Sequence, residues 1–358
     1  MASRYIRPFG RITSPCAAGE REPAIAVAGR HGPRFAAAEL IERAAGKVVR
    51  QTLTSTELLA SGLVPPGLIE RLGAPRYPIA GIVLDRPRIM GIVNVTPDSF
   101  SDGGRFLAPE AAIAHALRLE AEGADIIDVG AESTRPGSDP TGVEEELRRV
   151  MPVLEGLASR LRVPLSIDTR KAEVMRRAVG TGAALINDVS ALVHDPGALA
   201  VAAETGSPVV LMHAQGDPRT MQERPHYADV VLDIYDWLDA RIDACERAGI
   251  ARARLIVDPG IGFGKTLAHN LALLGALSIF HGLGCAILLG ASRKSFIGRL
   301  MGARMGADRG ADMGDRLGGS VAAALLGAAQ GVQMLRVHDV VATRQALAVW
   351  EAAGAAKA

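Results

Sequence analysis

The stretch Ile89-Met-Gly-Ile-Val-Asn-Val-Thr-Pro-Asp-Ser-Phe-Ser-Asp-Gly103 decides how the rest of the chain reads. Its first half is a continuous apolar run, the pattern of a strand buried on both faces, as in a parallel sheet. The run ends in Asn94 and passes into a polar, glycine-bearing loop. A buried strand that hands polar atoms from its C-terminal end to a loop is the arrangement by which α/β enzymes present ligand-binding groups.

Outward from that stretch the same event recurs. Apolar runs at 88–94, 125–130, 164–168, 184–188, 208–213, 254–258, 286–291 and 332–337 read as strands. Between them helical patterning runs over 110–122, 143–160, 172–181, 197–205, 230–249 and 270–281. A glycine- and methionine-rich stretch, Met301–Gly314, precedes helices over about 315–330 and 341–353. Strand and helix alternating in this way predict an α/β fold, a (β/α)8 TIM barrel over 86–358. A doubly wound open sheet is the alternative, because strand order is not written in a sequence. Residues 1–85 are of another kind: rich in Ala and Arg, with short apolar patches, a Pro65-Pro66 break and a predicted helix around Ala36–Ala45. They read as a small N-terminal extension packing on the barrel, with no recognisable chemistry.

In a barrel the C-terminal strand ends share one rim, and chemistry should gather there. The runs end in Asn94, Asp128, Asp168, Asn187-Asp188, His213, Asp258, Ser292-Arg293-Lys294 and Arg336-Val337-His338-Asp339. Partly buried carboxylates and amides need donors. Asp128, Asp168, Asn187 and Asp258 therefore suit a nitrogen-rich heterocycle such as a pterin, with Lys294 over its ring nitrogen or carbonyl acceptors. The plainer alternative is that single Asp residues among them cap helices or pair with Arg. Arg336 and His338, two apart and so on one side of their strand, neighbour Asn94 of the first strand. That group suits an anion such as a diphosphate, with a hard cation such as Mg2+ held by an amide oxygen and phosphate oxygens.

Asp258-Pro-Gly-Ile-Gly-Phe-Gly-Lys265 looks like a phosphate loop, but the first glycine a Walker A motif needs is Pro259. Its glycines read instead as letting the backbone approach a flat ligand, with Phe263 as an apolar wall. His213 reads as a packing or hydrogen-bonding residue rather than a metal ligand or base, since no second His or Cys stands at ligand spacing. Glu144-Glu145-Glu146 reads as a solvated helix face.

Composition narrows the class. A net charge of +1 does not suggest a nucleic-acid or membrane surface, and neither partner is expected. Five lysines stand against thirty-five arginines, so a lysine in a loop after a strand stands out. Cys16, Cys245 and Cys285 are widely spaced and odd in number, which favours a reducing compartment over a disulfide framework or zinc cluster. No apolar run reaches the roughly 20 residues that span a bilayer. Arg4, Arg7 and Arg11 without an acid before Glu20 faintly resemble a transit peptide, but a secretory apolar region is missing; a cytoplasmic protein is expected.

These motifs are specific in combination. Asn94-Val-Thr-Pro-Asp-Ser-Phe-Ser-Asp-Gly103, Asp128-Val-Gly-Ala-Glu-Ser-Thr-Arg-Pro-Gly137, Ile186-Asn-Asp188, Leu211-Met-His213, Asp258–Lys265, Ser292-Arg-Lys294 and Arg336-Val-His-Asp339 stand in family order over about three quarters of the chain. From about Arg88 onward the sequence resembles the dihydropteroate synthase family, the folate-pathway enzymes that sulfonamides inhibit. The resemblance implies condensation of 6-hydroxymethyl-7,8-dihydropterin diphosphate with p-aminobenzoate, giving dihydropteroate and pyrophosphate, with Mg2+. It implies a pterin set of Asp168, Asn187, Asp258 and Lys294 with Asp128 nearby, and a diphosphate and metal site of Asn94, Arg336 and His338. Thr134, Arg135, Pro136, Phe263 and Ser292 would form the p-aminobenzoate edge, and a loop with Phe100 and Asp102 a mobile cover. Asp168, Lys294, Arg336 and His338 would carry catalysis.

The sequence departs from the family at Ala131, where Gly is usual, and in a longer connection between Gly298 and Arg316, near the helices through which the family often forms homodimers. A corrinoid-type pterin methyltransferase would have no use for the Ser292-Arg-Lys294 and Arg336-Val-His338 groups. A non-catalytic paralogue should have lost Asn94, Asp168, Arg336 or His338, and all are present.

Overall fold

The computed structural model describes residues 3–12, 24–29, 32–65, 67–95, 107–132, 140–216, 220–305 and 316–355. The chain opens with an antiparallel sheet of β1 (Ser3–Ile12), β2 (Ile25–Ala26), β3 (Arg34–Ala44) and β4 (Lys47–Thr54), followed by short helices α1 (Ser55–Ala60) and α2 (Leu68–Gly73). Central β3 pairs with β1 on one edge and with β2 and β4 on the other. The helix expected around Ala36–Ala45 is therefore a strand. Ala, Glu and Leu give the segment helical propensity, but pairing on both edges and burial of Phe35, Ala38, Leu40 and Ile41 outweigh a preference of about a few tenths of a kcal/mol per residue. Ala45 and Gly46, both left-handed (φ 46 and 76), make the two-residue turn into β4, and Lys47 beside it is exposed.

The sheet has two apolar faces. Ile6, Phe35, Leu40 and Leu53 meet Leu58 and Leu72 in a small core of their own. Tyr5 and Ile41, pointing the other way, join the main core. Tyr5 packs edge-on against Tyr235, ring centres 5.2 Å apart, and its hydroxyl donates to Asp236 at 2.8 Å. Ser278 Oγ donates to the Pro8 carbonyl at 2.7 Å, and ion pairs join Arg43 to Asp233 at 2.8 Å and Arg50 to Asp229 at 2.5 Å.

From Arg88 strand and helix alternate: β5 (Arg88–Asn94), α3 (Leu107–Glu122), β6 (Ile126–Gly130), α4 (Val143–Ala158), β7 (Leu165–Asp168), α5 (Ala172–Gly180), β8 (Leu185–Asp188) and α6 (Ala198–Thr205). β9 (Val209–Met212), α7 (Val230–Arg247), β10 (Leu255–Asp258), α8 (Leu267–Leu274), β11 (Ala286–Leu289), α9 (Ser295–Met305), α10 (Leu317–Ala329), β12 (Met334–Val337) and α11 (Val340–Ala355) complete it. These strands pair in sequence order, all parallel, and β12 closes on β5. The barrel replaces the open-sheet alternative. The helix expected over 270–281 is two pieces, α8 ending at the Gly275 cap and a 3-10 segment over Leu277–Leu283. The glycine- and methionine-rich stretch is helical through Met305, and its remainder lies outside the described residues.

Inside the barrel, Met90, Ile126, Leu185, Val210, Ile256 and Met334 form an apolar bottom layer. It is closed from below by Ile79, whose amide and carbonyl pair with Ile82 across a turn at Ala80 and Gly81, both left-handed. Strand alternation then sets Asp128, Asn187, Asp258 and Arg336 one layer above Ile126, Leu185, Ile256 and Met334. No described helix is long and apolar enough to cross a membrane.

Candidate active site

Asp128, fully buried on β6, is the hub of the upper layer. Ser166 Oγ of β7 donates to its Oδ1 at 2.6 Å, while Asn187 Nδ2 of β8 and Arg336 Nε of β12 donate to Oδ2 at 2.9 and 2.6 Å. The second arm of the guanidinium, Nη2, donates to Asp168 Oδ2 at 2.7 Å. Arg336 thus bridges two carboxylates. Burial pushes the Asp168 carboxyl up to about 7; Arg336 pulls against that rise and the Asp128 charge adds to it.

Asp258 ends β10, buried, with Oδ1 accepting from the Gly260 N–H at 2.7 Å. Burial raises its carboxyl against the pull of Lys294. Lys294 leans across the rim: its ammonium stands 4.4 Å from the centre of the Phe263 ring and donates to the Ile261 carbonyl. Burial lowers it to about 8, with Asp258 opposing. A Cβ on Gly290 would lie 3.6 Å from Asp258 Oδ2, 3.9 Å from Lys294 Nζ and 3.9 Å from Arg336 Cβ. The absent side chain leaves these groups facing one space. Asp128, Asp168, Asn187, Asp258 and Lys294 therefore meet at a single mouth.

The expected anion group is less compact. Asn94 ends β5 beside Gly130 of β6. The Arg336 guanidinium turns inward onto the carboxylates, whereas His338 pairs through Nδ1 with Ser292 Oγ at 3.1 Å and donates its N–H to the same oxygen at 3.2 Å. Phe100, Asp102, Thr134, Arg135 and Pro136 lie outside the described residues. His213 has the packing and hydrogen-bonding surroundings expected of it: its ring lies 4.9 Å from Trp237, and burial lowers it to about 3.

Glu144-Glu145-Glu146 is not uniformly solvated. Glu146 is fully buried, accepts from Thr169 Oγ1 at 2.6 Å and pairs with Lys171 at 2.5 Å. It stands four residues before Val150 and seven before Val153, so it belongs to the buried stripe of α4, and that spacing was the available signal. Lys171 and Arg170 each reach Glu132 at 2.9 Å. Burial would raise Glu132, but hydrogen bonds from Arg170 and Lys171 hold it down to about 2. Glu132 also accepts from the Thr141 N–H at 3.0 Å, tying together the residues that flank 133–139. Ser166 was missed as well; it is a polar residue two places before Asp168, hence on the same inward face.

No group of three or more His, Cys, Asp and Glu among the described residues is placed to hold a metal. The donor the sequence points to, the Asn94 amide oxygen, suits a hard cation that takes its remaining ligands from substrate phosphates and water, as Mg2+ commonly does. The mouth as built offers buried acceptors for a flat donor-rich ring and cations above them.

Residues 90–338 match the model of the pterin binding enzyme family. The dihydropteroate synthase of Escherichia coli K12 is 50% identical over 274 residues, which are 76% of this chain and 94% of that protein. The Xanthomonas albilineans dihydropteroate synthase solved with 4-aminobenzoic acid superposes with a TM-score of 0.72 at 53% identity, covering 79% of this chain and 99% of that one. The complex of that enzyme with 7,8-dihydropteroate gives 0.70 at 51%, over 79% and 100%.

Proposed function

The chain belongs to the pterin-binding enzymes, and within them to the dihydropteroate synthases; from that premise we propose how its own residues perform the condensation. The substrates are 6-hydroxymethyl-7,8-dihydropterin diphosphate and p-aminobenzoate, the products 7,8-dihydropteroate and pyrophosphate. The observation that carries the reading is the convergence of Asp128, Asn187, Asp258 and Lys294 on one mouth whose acceptors and cation complement the pterin edge.

The pterin ring nitrogens can delocalise positive charge from the exocyclic methylene, so the C–O bond to the diphosphate breaks first, in an SN1-like route. Asp168 in its carboxylate form, which Arg336 favours, stabilises the cation. Arg336 and His338 with Asn94 receive the departing diphosphate, which requires the guanidinium to share itself between the carboxylates and the anion. Mg2+, when bound through Asn94 and the phosphates, supplies charge neutralisation of the leaving group. The amine of p-aminobenzoate then forms the C–N bond and releases a proton, without a strong base. Phe263 and Ser292 form its edge; the roles expected of Thr134, Arg135, Pro136, Phe100 and Asp102 fall outside the described residues. We further propose a cytoplasmic homodimer. The free, buried Cys245 and Cys285 support the compartment, and exposed Leu326 and Val349 on the last two helices support the pairing.

Pyrophosphate release from the dihydropterin diphosphate, with Mg2+ and with or without p-aminobenzoate, tests this. Release that depends on p-aminobenzoate, is lost with a chelator and is competed by a sulfonamide is expected. Binding of the pterin without release overturns the reading.

A further inference from the structure

Lys265 ends the glycine-rich motif after β10 and is sealed inside the protein, 1% exposed, with no carboxylate among the described residues in ion-pair reach. Its Nζ meets backbone and a ring instead: the Phe263 carbonyl at 2.9 Å, the His213 carbonyl at 3.3 Å and His213 Nδ1 at 3.1 Å. That shell fits a neutral amine completely, with two N–H groups on two carbonyls and a lone pair facing an imidazole N–H. Burial, and then the Lys294 charge, hold Lys265 well below its ordinary range. An amine hidden this way supplies neither charge nor reactivity to the mouth.

What it supplies is position. Four consecutive carbonyls of the loop are each held by a different side chain. Ile261 accepts from Lys294, Gly262 from Gln222 Nε2 at 2.5 Å, Phe263 from Lys265 and Gly264 from Tyr227 OH at 2.8 Å. Gly262 and Gly264 are left-handed, φ 87 and 63, so the loop has no repetitive hydrogen bonding of its own and depends on these donors. The Phe263 backbone is held from inside by Lys265 alone of the four, and the Phe263 ring is the surface under the Lys294 ammonium.

We propose that Lys265 is a positioning residue for the second substrate: by fixing the Phe263 carbonyl to the His213 carbonyl it sets the plane of the Phe263 ring against p-aminobenzoate. The inference rests on the assignment of Phe263 to the p-aminobenzoate edge. Because Ile261 and Gly262 keep their own donors, loss of Lys265 loosens Phe263 without releasing the pterin side.

The test compares wild type with Lys265→Met, which keeps the stem and removes the donor. In the folded variant KM for p-aminobenzoate should rise about tenfold, as expected for a displaced wall, with KM for the pterin diphosphate within about twofold. A p-aminobenzoate KM within about twofold of wild type, or an equal loss for both substrates, overturns the proposal. If Lys265→Met does not fold, Tyr227→Phe removes the adjacent donor and should raise KM for p-aminobenzoate alone by about threefold; no change overturns it. Wild-type turnover in the same assay tests the parent reading separately, since its absence would condemn that reading and not this one.

Discussion

The two mouths of the barrel are made from the same strands two residues apart, yet they share no chemistry. Below, Ile126, Leu185, Ile256 and Met334 close on Ile79 in a dry plug; above, Asp128, Asn187, Asp258 and Arg336 crowd polar atoms into a buried layer. Burial stabilises the lower layer and penalises the upper one, whose charges persist only because each has a partner. The lower mouth therefore holds the barrel shut, and the upper mouth is tolerated because it binds.

Replacements in the two layers should fail in different ways. The largest effect is expected at Arg336. Arg336→Ala leaves Asp128 and Asp168 facing each other uncompensated, so turnover should fall about a thousandfold, and stability by about 3 kcal/mol in a denaturant melt. Because the guanidinium bridges both carboxylates, pterin affinity measured by calorimetry should suffer too; unchanged affinity would break the bridging role. Below, Ile256→Ala should cost about 2–5 kcal/mol of stability while kcat/KM of the folded fraction stays near wild type.

Titration gives the next effect. The proposed mechanism needs Asp168 as carboxylate, lost as pH falls through about 7, and Lys294 as ammonium, lost as pH rises through about 8. kcat/KM for the pterin substrate should trace a narrow bell between those limbs, falling about tenfold per pH unit outside. Stability moves oppositely. The raised Asp168 is penalised when charged, so its cost is relieved as pH falls through 7. The lowered Lys294 costs most below pH 8 and is relieved as pH rises from there toward 10.5. A flat activity profile from pH 6 to 9 would contradict both assignments. The smallest effect belongs outside the barrel: Arg50→Ala removes a surface ion pair to Asp229 and should change stability by less than about 1 kcal/mol, with activity unaltered.

Legibility in the sequence follows the same division. The strands of the barrel were readable because burial on both faces writes unbroken apolar runs, and Asp128, Asn187, Asp258 and Lys294 because each stands where a run stops. β3 was misread because Ala, Glu and Leu favour a helix locally, while the partners that make it a strand, β1 and β4, are set by tertiary pairing. Glu146 was misread for a related reason: in a run of three acids only the one on the apolar stripe is buried, and its partner Lys171 lies on another element. The inward turn of Arg336 was not readable at all, because spacing fixes the face of a strand but not which carboxylate a long side chain reaches.

The scarcity of lysine has a practical consequence. Among the described residues Lys171 and Lys265 are buried and Lys294 lies in the mouth, while Lys47 stands exposed at the tip of the β3–β4 hairpin. Among the described residues, amine-directed labels and lysine-specific proteases acting on the folded chain would therefore find the hairpin. A dye or a nick could be placed in the N-terminal sheet in one step, and the barrel would carry the signal without carrying the modification.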